Sequence, residues 1–325
     1  MRSHARSSRL VSVALGVAVA LAACGGGDDD AEPAAGPASG DAATVTVDHM
    51  FGSTEITGVP ERVVTIDLPW TDVMLAMGVE PVGYSVDPFM PESGVPWQQL
   101  PAGAEPLSLD DGPPIEQIAQ LQPDLIVGTF SVTDQATYEQ LSGIAPTIPG
   151  LDERQVTAWQ DLVRTAGDVL GEPERAAEIV AGVDDEVAAL AEELPGLAGR
   201  TFALAQYVVG DSMYIVADEQ DGSSVFFQQL GMTMYGPVRE EGEATGDARV
   251  NVSTERSDLL RADLLVFLVN GGDESDLADI PGFDQLPGTV AVLDYPTIVG
   301  LNTPSPLSVP YSLERLRPYL EEAAS

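Results

Sequence analysis

Apolar residues fall at 176, 180, 183, 187, 190 and 194, in steps of four and three. That spacing puts them on one stripe of a helix over 173–194. At ~1.5 Å per residue such a helix runs roughly 33 Å, the width of a small domain. Pro195 and Gly196 end it. Trp159, Leu162, Val163, Ala166 and Leu170 predict a second helix, stopped by Gly171. Upstream the pattern changes to short β-branched runs. Residues 62–66 and 124–128 read as buried strands, 79–84 as another, and 44–47 as an edge strand. Thr71 is expected to cap a short helix over 72–77, closed by Gly78. Pro113 and Pro114 open a further helix with Ile115, Ile118, Ala119 and Leu121 on one face. Strands separated by helices imply a parallel sheet in an α/β lobe.

Beyond the long helix the pattern returns. Residues 213–217 read as a strand, 225–230 as a helix ended by Gly231, and 263–267 as a strand. Glu116, Leu121 and Asp124 have counterparts in Glu255, Leu260 and Asp263, at the same offsets of 5 and 8 from the glutamate. An apolar run follows each aspartate. Two similar halves on either side of a spanning helix predict an N-terminal α/β lobe over 44–171, an interdomain helix over 172–195 and a C-terminal α/β lobe over 196–325.

Charge narrows the function. The chain carries 14 basic residues, all arginine, against 52 acidic ones, a formal net charge of −38. This argues against nucleic acid as a partner, because a phosphate-tracking surface needs clustered cations. It argues equally against adsorption to anionic lipid through a polybasic patch. A single cysteine excludes an internal disulfide and every multi-cysteine metal site. Arg2, Arg6 and Arg9 precede an apolar run over 10–23, which fits the core of a secretory signal. That run ends Leu21-Ala22-Ala23-Cys24-Gly25, which resembles the lipobox of bacterial lipoproteins. The resemblance implies lipidation of Cys24, a signal peptide over 1–23 and an anchored, extracytoplasmic protein. Residues 24–43, rich in Gly, Asp, Ala and Pro, lack large apolar side chains and read as a tether.

Several stretches resemble one family. They are Phe51-Gly52-Ser53-Thr54 leading to Pro60-Glu61-Arg62-Val63-Val64; Leu75-Ala76-Met77-Gly78-Val79-Glu80-Pro81-Val82-Gly83; Glu116-Gln117-Ile118-Ala119-Gln120-Leu121-Gln122-Pro123-Asp124-Leu125-Ile126; and the tail over 304–320. Over about residues 44–322 the chain resembles the substrate-binding proteins of ABC importers for ferric siderophores, haem and cobalamin. The resemblance implies two Rossmann-like lobes joined by one rigid helix, as in class III periplasmic binding proteins, with ligand in the cleft between them. It implies a monomer without a resident cofactor, carrying a ferric siderophore to a permease in the cytoplasmic membrane. Cobalamin or haem is the alternative cargo. It also implies one permease-docking acid per lobe, falling on Glu116 and Glu255.

In open α/β lobes ligands meet the loops after the carboxyl ends of strands. Trp70, Tyr84, Phe89, Trp97 and Phe130 occupy such places in the first half, and Tyr207, Tyr214, Tyr235 and Arg239 in the second. Aromatic faces suit the flat shell of a ferric chelate. Scarce cations favour a neutral or cationic chelate, such as a ferric hydroxamate. Gly210-Asp211-Ser212-Met213 is similar to an esterase nucleophile block, which leaves a serine esterase using Ser212 as a remote alternative. No histidine follows His49, so that serine lacks a base. His49 reads as a surface or strand-end residue.

Overall fold

A computed structural model describes residues 43–90, 94–152, 156–270 and 272–325. The predicted signal peptide, Cys24 and all but the last residue of the tether lie outside the described residues. The chain opens with β1 (Thr44–His49) and β2 (Gly52–Thr57), then β3 (Val63–Thr65), α1 (Leu68–Ala76), β4 (Gly83–Val86) and β5 (Glu105–Ser108). Next come α2 (Ile115–Gln120), β6 (Leu125–Val127), α3 (Gln135–Ser142), β7 (Thr147–Ile148), α4 (Trp159–Leu170) and α5 (Pro173–Glu193). The second half holds β8 (Thr201–Val208), β9 (Met213–Val216), α6 (Gly222–Gln229), β10 (Thr233–Met234), α7 (Gly236–Thr245) and β11 (Arg249–Val252). It closes with β12 (Leu264–Asn270), β13 (Thr289–Val292), α8 (Tyr295–Asn302) and α9 (Ser308–Ala323).

The first sheet has the order β5-β4-β3-β6-β7 and every pairing is parallel. Its central strands β3 and β6 are buried at every position, as a sheet covered on both faces requires. Alternation sorts their side chains. Val64 and Ile126 join a cluster with Ile118 and Leu141, whereas Val63, Leu125 and Val127 face Trp70 and Met74 on the other side. The second sheet has the order β11-β9-β8-β12-β13, with β10 also on β8. It is mixed, where a purely parallel sheet was the expectation. Only four residues separate β8 from β9, too few for a crossover, so they pair antiparallel, as do β9 and β11.

The halves share a fastening that explains their shared motif. Asp124 accepts the N–H groups of Glu61 and Arg62 at the entry to β3, both at 2.8 Å. Asp263 accepts the N–H of Thr201 at the entry to β8 at 2.7 Å. In each half the aspartate opens a central strand and pins the start of its parallel neighbour.

Helix α5 buries Ala176, Val180, Val183, Val187 and Leu190, the predicted stripe, and half-buries Leu194. It packs on α4, and Arg317 of α9 reaches its last residue, Glu193, at 2.9 Å. One buried core continues from the first sheet through α1, α4 and α5 to the second, and residues Ala42–Ser325 form one compact unit.

The expected helix over 72–77 begins earlier. Asp67, not Thr71, is its N-cap and accepts the N–H of Trp70 at 3.0 Å. Pro69 fits the first turn, where no intrahelical N–H is needed. Gly78, at φ +81°, closes the helix, and the Val79 N–H returns to the Met74 carbonyl. That closure delays the next strand, expected from 79, until Gly83. The edge strand expected over 44–47 runs on to His49 and pairs with β2 in a hairpin. There His49 is the last residue of β1, the strand-end place of the two expected, and it is buried and bonded to Thr54 at 3.0 Å.

Candidate functional site: a cavity at the strand ends of the first sheet

The carboxyl ends of β3, β4, β5 and β6 converge on a cavity of about 730 Å³. Its wall includes Leu68, Tyr84, Val95, Leu100, Leu109 and Phe130. Val299 and Thr303 of the α8 segment close it from the second half. Volume and apolar lining match a small-molecule site.

Asp67 and Asp87 are its acidic lining residues; among the described residues the lining holds neither arginine nor histidine. Asp67 is buried and accepts the N–H groups of Trp70, Thr129 and Phe130. Burial pushes its carboxyl up to about 6, against the pull of those three donors. The Ser131 hydroxyl donates to the Ile66 carbonyl at 2.5 Å, so the ends of β3 and β6 are tied on the cavity floor.

Contacts of Tyr295, Gly300, Ser305 and Tyr311 hold α8 and the start of α9 against the first half. The Tyr295 hydroxyl donates to Asp87 at 2.9 Å, and its ring meets Phe89 edge-on at 6.0 Å. Burial, then the bond to Asp87, pushes that phenol up to about 12. Buried Asp72 accepts from Trp97 Nε1 at 2.8 Å, from the Gln98 amide at 2.5 Å and from the Ser305 hydroxyl at 2.5 Å. Desolvation lifts Asp72 to about 6, while those three donors hold it down. Trp97 also tilts against Tyr311, with ring centroids 5.1 Å apart. A Cβ at Gly300 would stand 2.9 Å from the Trp97 ring. Only glycine lets α8 approach this closely.

Of the residues predicted from sequence, Tyr84 and Phe130 line the cavity. Phe89 is 76% exposed and stands beside the lining residues Pro88 and Met90. Trp97 joins the wall's support through Asp72. Trp70 is fully buried in the first turn of α1 and belongs to the core instead of the cavity. Tyr207 is likewise core. Tyr235 is half-buried at the N-cap of α7. Tyr214 lines a separate pocket of about 30 Å³ with Arg249, about the space of one water in the liquid. Arg239 is exposed on α7 and pairs with Glu219 at 3.7 Å and Glu243 at 3.9 Å, away from the cavity.

Asp72, Gln98, Tyr295 and Ser305 went unpredicted. Tyr295 could have been found, since it follows a strand end like the others, but the four residues of β13 leave a weak strand signal. Asp72 lies in a helix and meets its partners only through tertiary packing. Ser212 sits at the entry to β9, donating to Asp211 and accepting from Asn251 at 3.0 Å. His49 is held in the first half by Thr54 and Tyr138. Glu116 and Glu255 are both exposed, the first in the opening turn of α2 and the second in the turn before the 3-10 segment Ser257–Leu260.

The sequence profile of the periplasmic binding protein family matches residues 63–268, more than half of the chain. The probable siderophore-binding lipoprotein YfiY of Bacillus subtilis is 30% identical over 193 residues, which cover 58% of this chain and 57% of YfiY. The ferric enterobactin-binding periplasmic protein FepB of Escherichia coli is 31% identical over 125 residues, 38% of each chain. The chain therefore spans little more than half of YfiY and well under half of FepB. A periplasmic solute binding protein from Mycobacterium smegmatis superposes with a TM-score of 0.74 at 29% identity, over 87% of this chain and 99% of that one. PiaA of Streptococcus pneumoniae, solved with ferrichrome, has the same fold, with a TM-score of 0.71 at 24% identity over 86% of this chain and 98% of that one. The chain belongs to the periplasmic binding protein family.

Proposed function

We propose that this chain is the extracytoplasmic receptor of an ABC importer. It captures a ferric siderophore of the hydroxamate type and delivers it to a permease without covalent chemistry. The observation that carries the reading is the cavity of about 730 Å³ at the strand ends of the first sheet, closed by α8. Its rings, Tyr84 and Phe130, suit the flat face of an iron chelate. Relatives' names span ferric enterobactin, ferric dicitrate and, for the solved PiaA complex, ferrichrome. The choice among such ligands therefore rests on the cavity, and a wall without cations among the described residues disfavours the strongly anionic ones.

In this reading residues 44–171 and 196–325 are the two lobes and α5 joins them. Cys24 carries the lipid anchor, and the protein acts as a monomer. Glu116 and Glu255 dock on permease arginines; charge-assisted pairs of that kind set orientation and encounter rate. Their support is equal spacing to Asp124 and Asp263, which play the same part in the two sheets. Titration of intrinsic fluorescence with a ferric trihydroxamate, a ferric tricatecholate, cobalamin and haem tests the reading. Saturable quenching by the hydroxamate is expected. Preference for the catecholate overturns the hydroxamate assignment, and silence toward all four overturns the receptor.

A further inference from the structure

Building on the receptor reading, we infer that Asp87 is the ligand-selecting charge of the cavity and that the cognate chelate carries a cationic arm, such as an ammonium, set against it. Asp87 lies just beyond the end of β4 and forms part of the cavity wall. One of its oxygens accepts the Phe89 N–H at 2.8 Å and the other the Tyr295 hydroxyl at 2.9 Å. A carboxylate offers about four acceptor positions, so these bonds orient Asp87 and leave capacity for a ligand donor. The orientation comes from both sides of the cavity, the loop after β4 and the first turn of α8. Such preorganisation lowers the entropic cost of binding.

Compensation of this charge falls to the ligand. Among the described residues no arginine or histidine forms an ion pair with Asp87. The other acid of the wall, Asp67, already receives three backbone N–H groups. Arg249, at the smaller pocket, is matched by the buried carboxylate of Asp221 at 3.5 Å. A neutral chelate filling the cavity desolvates Asp87 without a counterion, an anionic one adds repulsion, and a cationic arm removes the penalty. With a net charge of −38 the chain also steers cations toward itself.

The test uses one linear ferric trihydroxamate in three forms: free terminal amine, N-acetyl and N-succinyl. Their iron shells are identical and only the arm's charge changes. The native protein should bind the amine form roughly ten-fold more tightly than the acetyl form, with the succinyl form weakest. Asp87→Asn should bring the amine and acetyl forms within about two-fold, the amine form losing affinity and the acetyl form gaining some as the desolvation penalty on the carboxylate goes. Tyr295→Phe, which cuts the tie across the cavity but keeps the charge, should preserve the ranking. If the acetyl form binds the native protein as well as the amine form, or if the ranking survives in Asp87→Asn, this inference is overturned while the receptor reading stands. If no chelate, cobalamin or haem binds, the receptor reading itself falls and this inference with it.

Discussion

Asp72 stands where three donors meet: an indole N–H, an amide and a hydroxyl that comes from the far end of the chain. Asp72→Ala removes the acceptor of the buried Ser305 hydroxyl and of the half-buried Trp97 and Gln98 donors, and the loss should be about 2–4 kcal/mol of unfolding free energy. Asp72→Asn is milder, because the Gln98 amide can turn its oxygen toward the new side chain. The pH dependence follows from the direction of the shift. Burial raises the folded carboxyl from 3.8 to about 6, so the native state binds the extra proton between those values. Stability from this group is fully present below pH 3.8 and is lost as pH rises through about 6, on the order of 3 kcal/mol at ~1.36 per unit. Asp67 acts in the same direction. His49, lowered by its own burial, acts oppositely, with stability present above 6.5 and lost as pH falls. Comparing urea unfolding of native protein and Asp72→Asn from pH 4 to 7 isolates the Asp72 part. The native slope should be the more negative, and identical slopes would remove Asp72 from the account.

At the scale of elements, α5 is the connector of the proposed reading, and its construction predicts little motion. It is a continuous helix of 21 residues with one buried stripe. Bending it breaks helical hydrogen bonds and strips Val180, Val183 and Val187 from the shared core. Near the cavity, the bonds of Asp72 to Ser305 and of Asp87 to Tyr295 tie α8 and α9 to the first half. In the proposed reading a ligand entering between such elements works against a stiff frame instead of closing a hinge. The expected outcome in small-angle scattering is a change in radius of gyration below about 1 Å on saturation with ferric chelate, against an expected ~20 Å for a chain of this size. A compaction of several ångströms would contradict the rigid connector.

The whole molecule is an acidic body with two proposed contacts, membrane and permease. In cells that import the chelate, Glu116→Arg with Glu255→Arg should leave chelate binding unchanged. Uptake should fall at least roughly ten-fold, because two docking pairs become repulsive. Cys24→Ser should move the receptor from the membrane to the soluble fraction. Normal uptake by the charge-reversed protein would refute the docking surface, and membrane retention of Cys24→Ser would refute the anchor. Both arms can be read in one strain.

By itself the sequence determined what depends on neighbours along the chain. A 3.6-residue period needs no partner to be recognised, so the stripe of α5 and its Pro195-Gly196 end were legible. So were β3 and β6, whose β-branched runs mark strands covered on both faces. The spacing from Glu116 to Asp124 and from Glu255 to Asp263 was legible as a repeat, although each aspartate pins a strand start 62 residues earlier, a contact that only the fold supplies. Tyr84 and Phe130 were found because cavity position follows from strand ends. Tertiary structure alone decided the rest. Whether an aromatic beyond a strand faces the cavity or the core depends on where the next helix starts. Asp67 caps α1 early enough to turn Trp70 inward. The short link from β8 to β9 reversed a strand that composition could not orient. The carboxylates that shape the cavity and brace it, Asp87 and Asp72, find their partners 208 and 233 residues away, and no local pattern encodes a contact over that distance.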